Sequence, residues 1–157
     1  MKSSKPVLLA IAAVSLGLVG YALYLQHQLG WAPCPLCVIQ RYVFVGVAAV
    51  CLLGALLPRA AAPVGAGLGA LVALGGAGVA SWHTWVKANP TVSCGIDPLE
   101  TALNRIPPAD WMPFLFKADG LCATPYPPIL GLQVPHWSLI WFAIFALVLG
   151  WAAIRAR

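Results

Sequence analysis

The sequence predicts an all-α membrane protein: a four-transmembrane-helix bundle with a Pro-rich loop that carries a short interfacial helix. Two observations predict it. The 157 residues are 61% hydrophobic and only 8% charged, with a mean hydropathy of +0.87, whereas a soluble domain carries about 25% charged residues. Nine Lys and Arg with four Asp and Glu are too few to cover a core with solvated surface. The second observation is that apolar stretches with little or no charge recur at about 20 residues, the length that crosses a bilayer. The net charge of +5 does not point to nucleic acid, because no basic stripe or cluster exists to follow a phosphate backbone.

The chain is read as one integral membrane domain, 1–157, with spans at about 7–25, 38–57, 63–82 and 135–154. The first span follows Lys2 and Lys5 as a secretory signal would, but its apolar run exceeds a roughly 7–15-residue signal core and lacks a small-x-small cleavage site. It is expected to remain as a helix. The second span holds one charge, Arg41, close to its end. The third, from Pro63 through Gly78, is dense in Gly and Ala, which lets helix backbones approach closely. Between them lie loops at about 26–37 and 83–134. The longer loop contains Pro90, Pro98, Pro107, Pro108, Pro113, Pro125, Pro127 and Pro128, which forbids a long continuous helix. Inside it, Asp110 to Lys117 is an aromatic and aliphatic piece between charges. It is expected either to lie flat in the headgroup layer or to collapse onto the top of the bundle.

Lys and Arg near the span ends set the orientation. If the spans alternate, Lys2, Lys5, Arg59, Arg155 and Arg157 share one side without any acid, which makes it cytoplasmic and puts both termini there. Lys87, Arg105, Lys117, the Arg41 end and all four acids, Asp97, Glu100, Asp110 and Asp119, fall on the other side. Trp31, Trp82, Trp85 and Trp137 are then expected at the outer interface and Trp151 at the inner one, where indole is stable.

Of the five cysteines, Cys34, Cys37, Cys94 and Cys122 map to the outer side, an oxidising compartment in bacteria. Four cysteines allow three pairings. Cys34 with Cys37 and Cys94 with Cys122 is the simplest, since the first two are adjacent and the second two clip the long loop. The Cys34-Pro-Leu-Cys37 spacing is that of dithiol redox chemistry, and its place where the second helix begins lets free N–H groups and the helix dipole favour a thiolate. Arg41 lies four residues after Cys37, on the same face one turn deeper. A guanidinium at that depth needs a partner, whether thiolate, carbonyl or lipid phosphate, although an interface arginine can also simply snorkel. His83, in Ser81-Trp82-His83-Thr84-Trp85, sits at a similar depth. It is either a hydrogen-bond donor or proton carrier beside a redox site, or a histidine facing headgroups. No metal site is expected, because Cys94 and Cys122 are too far apart to complete a zinc set with the C-x-x-C. Cys94–Cys122 alone would also serve as a structural staple. Cys51 falls about 21 Å along the helix from Cys37 and is read as a small buried hydrophobe.

These residues resemble the DsbB family of bacterial disulfide bond formation proteins. The likeness rests on the Cys34-Pro-Leu-Cys37-Val-Ile-Gln40-Arg41 string, His83-Thr84, Gly120-Leu121-Cys122, and Gly131 to Trp137 leading into the last span, and it covers essentially the whole chain. It implies a thiol:quinone oxidoreductase of the bacterial inner membrane with its redox loops in the periplasm. Such an enzyme reoxidises a DsbA-type dithiol protein and passes the electrons to membrane quinone, ubiquinone or menaquinone, a relay that keeps the periplasm oxidising. The resemblance makes Cys94 the residue that holds the partner as a mixed disulfide and Cys122 its resolving mate. Cys122 would then reduce the Cys34–Cys37 disulfide at Cys34, and Cys37 would face the quinone. Arg41 and His83 match quinone-binding positions. The vitamin K epoxide reductase family has a similar bundle, but its C-x-x-C lies late in the chain. A third reading is a disulfide-stapled scaffold or a metal-binding module without turnover.

Overall fold

The computed structural model describes residues 4–89, 91–92, 96–122 and 124–155, the side chains of 96 and 97 excepted; Lys2, Cys94, Arg157 and the Asp97 side chain lie outside the described residues. Helix α1 spans Lys5–Leu29, α2 Pro35–Leu56, α3 Ala62–Ala88 after a 3-10 turn at Arg59–Ala61, and α7 Val134–Arg155. Three short helices, α4 (Ile96–Asn104), α5 (Pro107–Trp111) and α6 (Pro113–Phe116), break the long connection between α3 and α7. Four helices, α1, α2, α3 with its preceding turn, and α7, are long and apolar enough to cross a membrane. This is the all-α bundle the composition predicts.

Each long helix continues past its uncharged stretch, since the backbone pairs internally whether the side chains meet lipid or water. α3 therefore carries His83 and Lys87 in its final turns. α1 stops at Gly30, which takes φ +67° and turns its N–H back onto the Leu25 carbonyl, a conformation that costs glycine least. α2 starts with Pro35, whose fixed φ suits a first helical turn and whose missing N–H is not needed there. Its cap is Cys34, whose sulfur accepts from the Cys37 N–H at 3.3 Å.

Neighbours pack in the order α1, α2, α3, α7, and α1 touches α7 only sparsely. One seam of the bundle is thus loosely closed. The small residues of α3 act as expected in close packing. A Cβ added at Gly65 would lie 2.8 Å from Gly54 Cα on α2, and one at Gly76 would lie 2.7 Å from the Phe142 ring on α7. Around these approaches Phe44 stacks on Phe142 at 4.1 Å and meets Phe145 edge-on at 6.2 Å. Leu8, Val47, Cys51, Ala66 and Leu149 belong to the same buried cluster. Leu56, Leu71, Leu147 and Ile154 face outward, which costs nothing in a hydrocarbon solvent.

The connecting helices fold back onto the first turns of α2. Leu103, Ala109, Phe116 and Ala118 are buried there with Val38, and Tyr42 stacks on Phe116 at 4.1 Å. Trp111 and Phe114 point away, 78% and 52% exposed, so this segment is docked on the bundle end and still presents aromatic side chains outward. Of the tryptophans, Trp82 and Trp85 stack on the surface at 5.0 Å, and Trp151 lies under the Arg155 guanidinium at 4.5 Å. Trp31 and Trp137 are engaged by the connection. Trp31 stacks on Tyr126 at 4.8 Å, and Trp137 Nε1 donates to the Ile129 carbonyl at 2.9 Å.

Candidate functional site

Where the loose seam meets the connecting segment, the bundle holds a cavity of about 370 Å³ lined mainly by apolar side chains. Cys34, Cys37, Gln40 and Arg41 reach it from α2 and its cap, His83 and Lys87 from α3, and Cys122 from the connection. The helical spacing explains the α2 set: Cys37 and Arg41 are one turn apart on one face, with Gln40 beside them.

Cys34 and Cys37 are free thiols. Their sulfurs share a hydrogen bond at 2.8 Å, so only a small movement separates them from a disulfide's roughly 2.05 Å. The hydrogen bond with Cys37 and burial push the Cys34 thiol well up, against a weaker downward pull from the backbone N–H groups of Cys37 and Leu36. Cys34 is 2% exposed, whereas Cys37 is partly exposed to the cavity. His83 is buried on α3 with its Nε2 3.6 Å from Cys34 Sγ, and Gln40 holds its Nδ1 at 3.0 Å. The imidazole therefore faces a sulfur and not headgroups.

Arg41 is 6% exposed and finds its partners within the protein. Nη1 donates to Gln26 Oε1 at 2.6 Å and to the Leu115 carbonyl at 3.0 Å, and Nη2 donates to the Ala22 carbonyl at 3.4 Å. Of the partners the sequence left open, carbonyl groups are the ones observed. The side chain ties α1 and α6 to α2 and lines the same cavity as both sulfurs.

Cys122 is disulfide-bonded and 3% exposed. It packs with Cys34, Leu36 and Val86 in one small buried cluster. Two local devices bring it there. Asn104 clamps Ala118 by donating to its carbonyl at 2.8 Å and accepting its N–H at 2.9 Å. Asp119 and Gly120 then donate their N–H groups to the Pro33 carbonyl at 3.1 and 3.0 Å. Gly120 lies so close to Ala32 that an added Cβ would collide with the Ala32 carbonyl. Cys94, the remaining predicted site cysteine, lies outside the described residues.

Gln40 stands in the string that carries the family resemblance, which assigned it no role of its own; its bond to His83 supplies one. Gln26 and Asn104 carry no signal in the sequence.

A membrane-spanning helical bundle whose C-x-x-C caps a helix, beside a second buried cysteine held in a disulfide, defines a membrane-embedded thiol–disulfide protein. The comparisons narrow this class. The family model described as "Disulfide bond formation protein DsbB" matches residues 4–152, and the chain belongs to that family. The chain is 57% identical to "Disulfide bond formation protein B" of Herminiimonas arsenicoxydans over 100% of its length and 99% of the relative's. It is 52% identical to the protein of the same name from Ralstonia nicotianae, over 98% and 96%. It is also 45% identical to "Disulfide bond formation protein B 2" of Burkholderia lata, over 99% and 92%. Membership gives the chain an oxidoreductase role in disulfide bond formation.

Proposed function

We propose that the chain is a thiol:quinone oxidoreductase of the bacterial inner membrane that reoxidises a periplasmic DsbA-type dithiol protein. The observation that carries this reading is the cavity itself: an apolar chamber beside a loose helix seam, with a free C-x-x-C on its wall and Cys122 packed against Cys34. A chamber of that size suits a small-molecule ring, and the α1–α7 seam offers a lipid-soluble molecule a lateral way in. Quinone, ubiquinone or menaquinone, supplies a two-electron, two-proton acceptor when bound.

The chain's own steps balance as dithiol–disulfide exchanges. A partner thiolate attacks Cys94 in the Cys94–Cys122 disulfide and forms a mixed disulfide. The partner's second thiol resolves it, leaving both chain cysteines reduced and the partner oxidised. Cys122 then attacks Cys34 in the oxidised Cys34–Cys37 pair, releasing Cys37 as thiolate, and Cys94 closes again on Cys122. Cys34 holds the remaining proton, since the bond with Cys37 and burial favour its thiol form, while Cys37 faces the cavity. His83 Nε2, within reach of Cys34 Sγ, is placed to deliver or collect that proton. Arg41 stabilises negative charge in the chamber. Lys5, Arg59 and Arg155 at the opposite end support a cytoplasmic assignment for that end.

The test is quinone absorbance in detergent with purified chain and a reduced DsbA-type protein. Turnover that disappears in Cys37→Ser is expected. Absence of turnover with both quinone classes, in folded protein whose thiols are all counted, would return the chain to the scaffold or metal-binding reading.

A further inference from the structure

We propose that reduced Cys34 and Cys37, together with His83, form a binding site for a soft divalent cation of the zinc type, with two thiolates and imidazole Nε2 as ligands and a fourth position open to the cavity. The spacing of cysteines along the chain argued against a metal, because no second cysteine pair completes the set. The fold supplies the third ligand from another helix.

Among the described residues, the ligand atoms of these three side chains all lie within 4.8 Å of one another. Tetrahedral zinc, with bonds of about 2.3 Å to sulfur and 2.0–2.1 Å to nitrogen, sets S···N edges of about 3.6 Å and S···S edges of about 3.8 Å. Cys34 Sγ and His83 Nε2 already stand at 3.6 Å. The sulfurs, at 2.8 Å, must part by about 1 Å, and Cys37, the less buried of the two, has the cavity to turn into.

Gln40 completes the arrangement. Histidines that bind metals hold their other ring nitrogen in a hydrogen bond, which fixes tautomer and orientation. Gln40 occupies that place at 3.0 Å from Nδ1. With its Nε2 toward the ring it donates to Nδ1, and His83 presents Nε2–H to Cys34. With the amide turned over, Oε1 accepts from Nδ1–H and the Nε2 lone pair is free for a cation. The two orientations have the same shape, so one side chain serves both states.

Binding transfers no electrons. Two S–H groups release their protons to water as two metal–sulfur bonds form, and the −2 charge of the sulfurs neutralises the dication. The disulfide offers no thiolate, so the site exists only in the reduced chain, and an occupied site holds the pair reduced. Lys87 and Arg41 line the same cavity and oppose a dication, which makes this a weaker, reversible site and not a structural zinc centre. The proposal needs only reduced thiols and stands apart from the quinone reading.

The experiment titrates the anaerobically reduced chain, with Cys94→Ser and Cys122→Ser to leave the pair and Cys51, using zinc against a chromophoric chelator and cadmium–thiolate absorbance. One equivalent is expected when reduced and none when oxidised. Gln40→Ala should weaken binding about 10- to 100-fold and His83→Ala at least as much, with helical circular dichroism unchanged. If the double variant does not fold, the reduced wild-type chain is compared with His83→Ala, which should hold one zinc at least 10-fold more weakly. Equal zinc uptake by oxidised and reduced chains overturns the site. Affinity unmoved by His83→Ala overturns the three-ligand geometry.

Discussion

Cys37 and Cys51 stand on the same helix, fourteen residues apart, and share nothing but their chemistry. Cys51 is fully buried where α2, α3 and α7 press together, so close that a Cβ on Gly69 would sit 3.3 Å from its sulfur. Cys37 lies where the same helices part around a cavity, with a second sulfur at 2.8 Å and a guanidinium one turn below. Reactivity of a thiol follows its access and its electrostatic surroundings. The bundle therefore has a tightly packed region and a hollow one, and the packed region gives the hollow one rigid walls. Close packing at Gly54, Gly65 and Gly76 fixes the register of α2, α3 and α7, and that register sets which side chains meet at the cavity.

The largest expected effect lies in the hollow region. Cys37→Ser should reduce quinone turnover to the rate without protein, and Cys34→Ser should do the same, whereas Cys94→Ser should stop exchange with the protein partner first. Stopped-flow quinone absorbance separates the steps. Full turnover by Cys34→Ser would break the relay.

Arg41 comes next. Its guanidinium makes three hydrogen bonds within the protein, and bonds to charged groups are worth about 1.5–3 kcal/mol each. If the same charge also serves the cavity, Arg41→Met should raise the quinone KM roughly 10- to 100-fold, equivalent to the loss of about one such bond. Loss of the tie to the Leu115 carbonyl should also open α6 to protease. Faster cleavage with an unchanged KM would make Arg41 a clamp only.

In the packed region the expected damage is to stability. Gly76→Val drives side-chain atoms into the Phe142 ring and should cost about 1–3 kcal/mol by overpacking, read as a lowered thermal midpoint in detergent. Its effect should spread to the site, because α3 carries His83. A variant that loses stability but keeps the wild-type KM would show the two regions to be independent.

The division also explains what the sequence made visible. Membrane depth is encoded directly in charge and hydropathy, so the four long helices could be read from it, as could the shared face of Cys37 and Arg41 on α2. The bond between Gln40 and His83 could not, because it joins positions 43 residues apart and depends on how α2 and α3 slide against each other. Gln26 and Asn104 were hidden for the same reason: Gln26 is an ordinary polar residue until α1 packs on α2 and brings it to Arg41, and Asn104 is one until the connection folds back onto it. The contacts of Trp31 with Tyr126 and of Trp137 with the Ile129 carbonyl could not be read either, because they too depend on where the connection lies.

The smallest expected effect is the sharpest test of the comparison. Cys51→Ala removes one sulfur from a site with no open space around it, so the loss is a single heavy atom of packing. Large-to-small substitution by so little should cost about 1 kcal/mol, and the thermal midpoint should fall by a few degrees. Quinone turnover should stay at the wild-type rate, because the substitution lies about 21 Å along the helix from Cys37. If Cys51→Ala instead slowed turnover at constant stability, the packed region would have to carry electrons or protons itself, and packing alone would no longer separate the two cysteines.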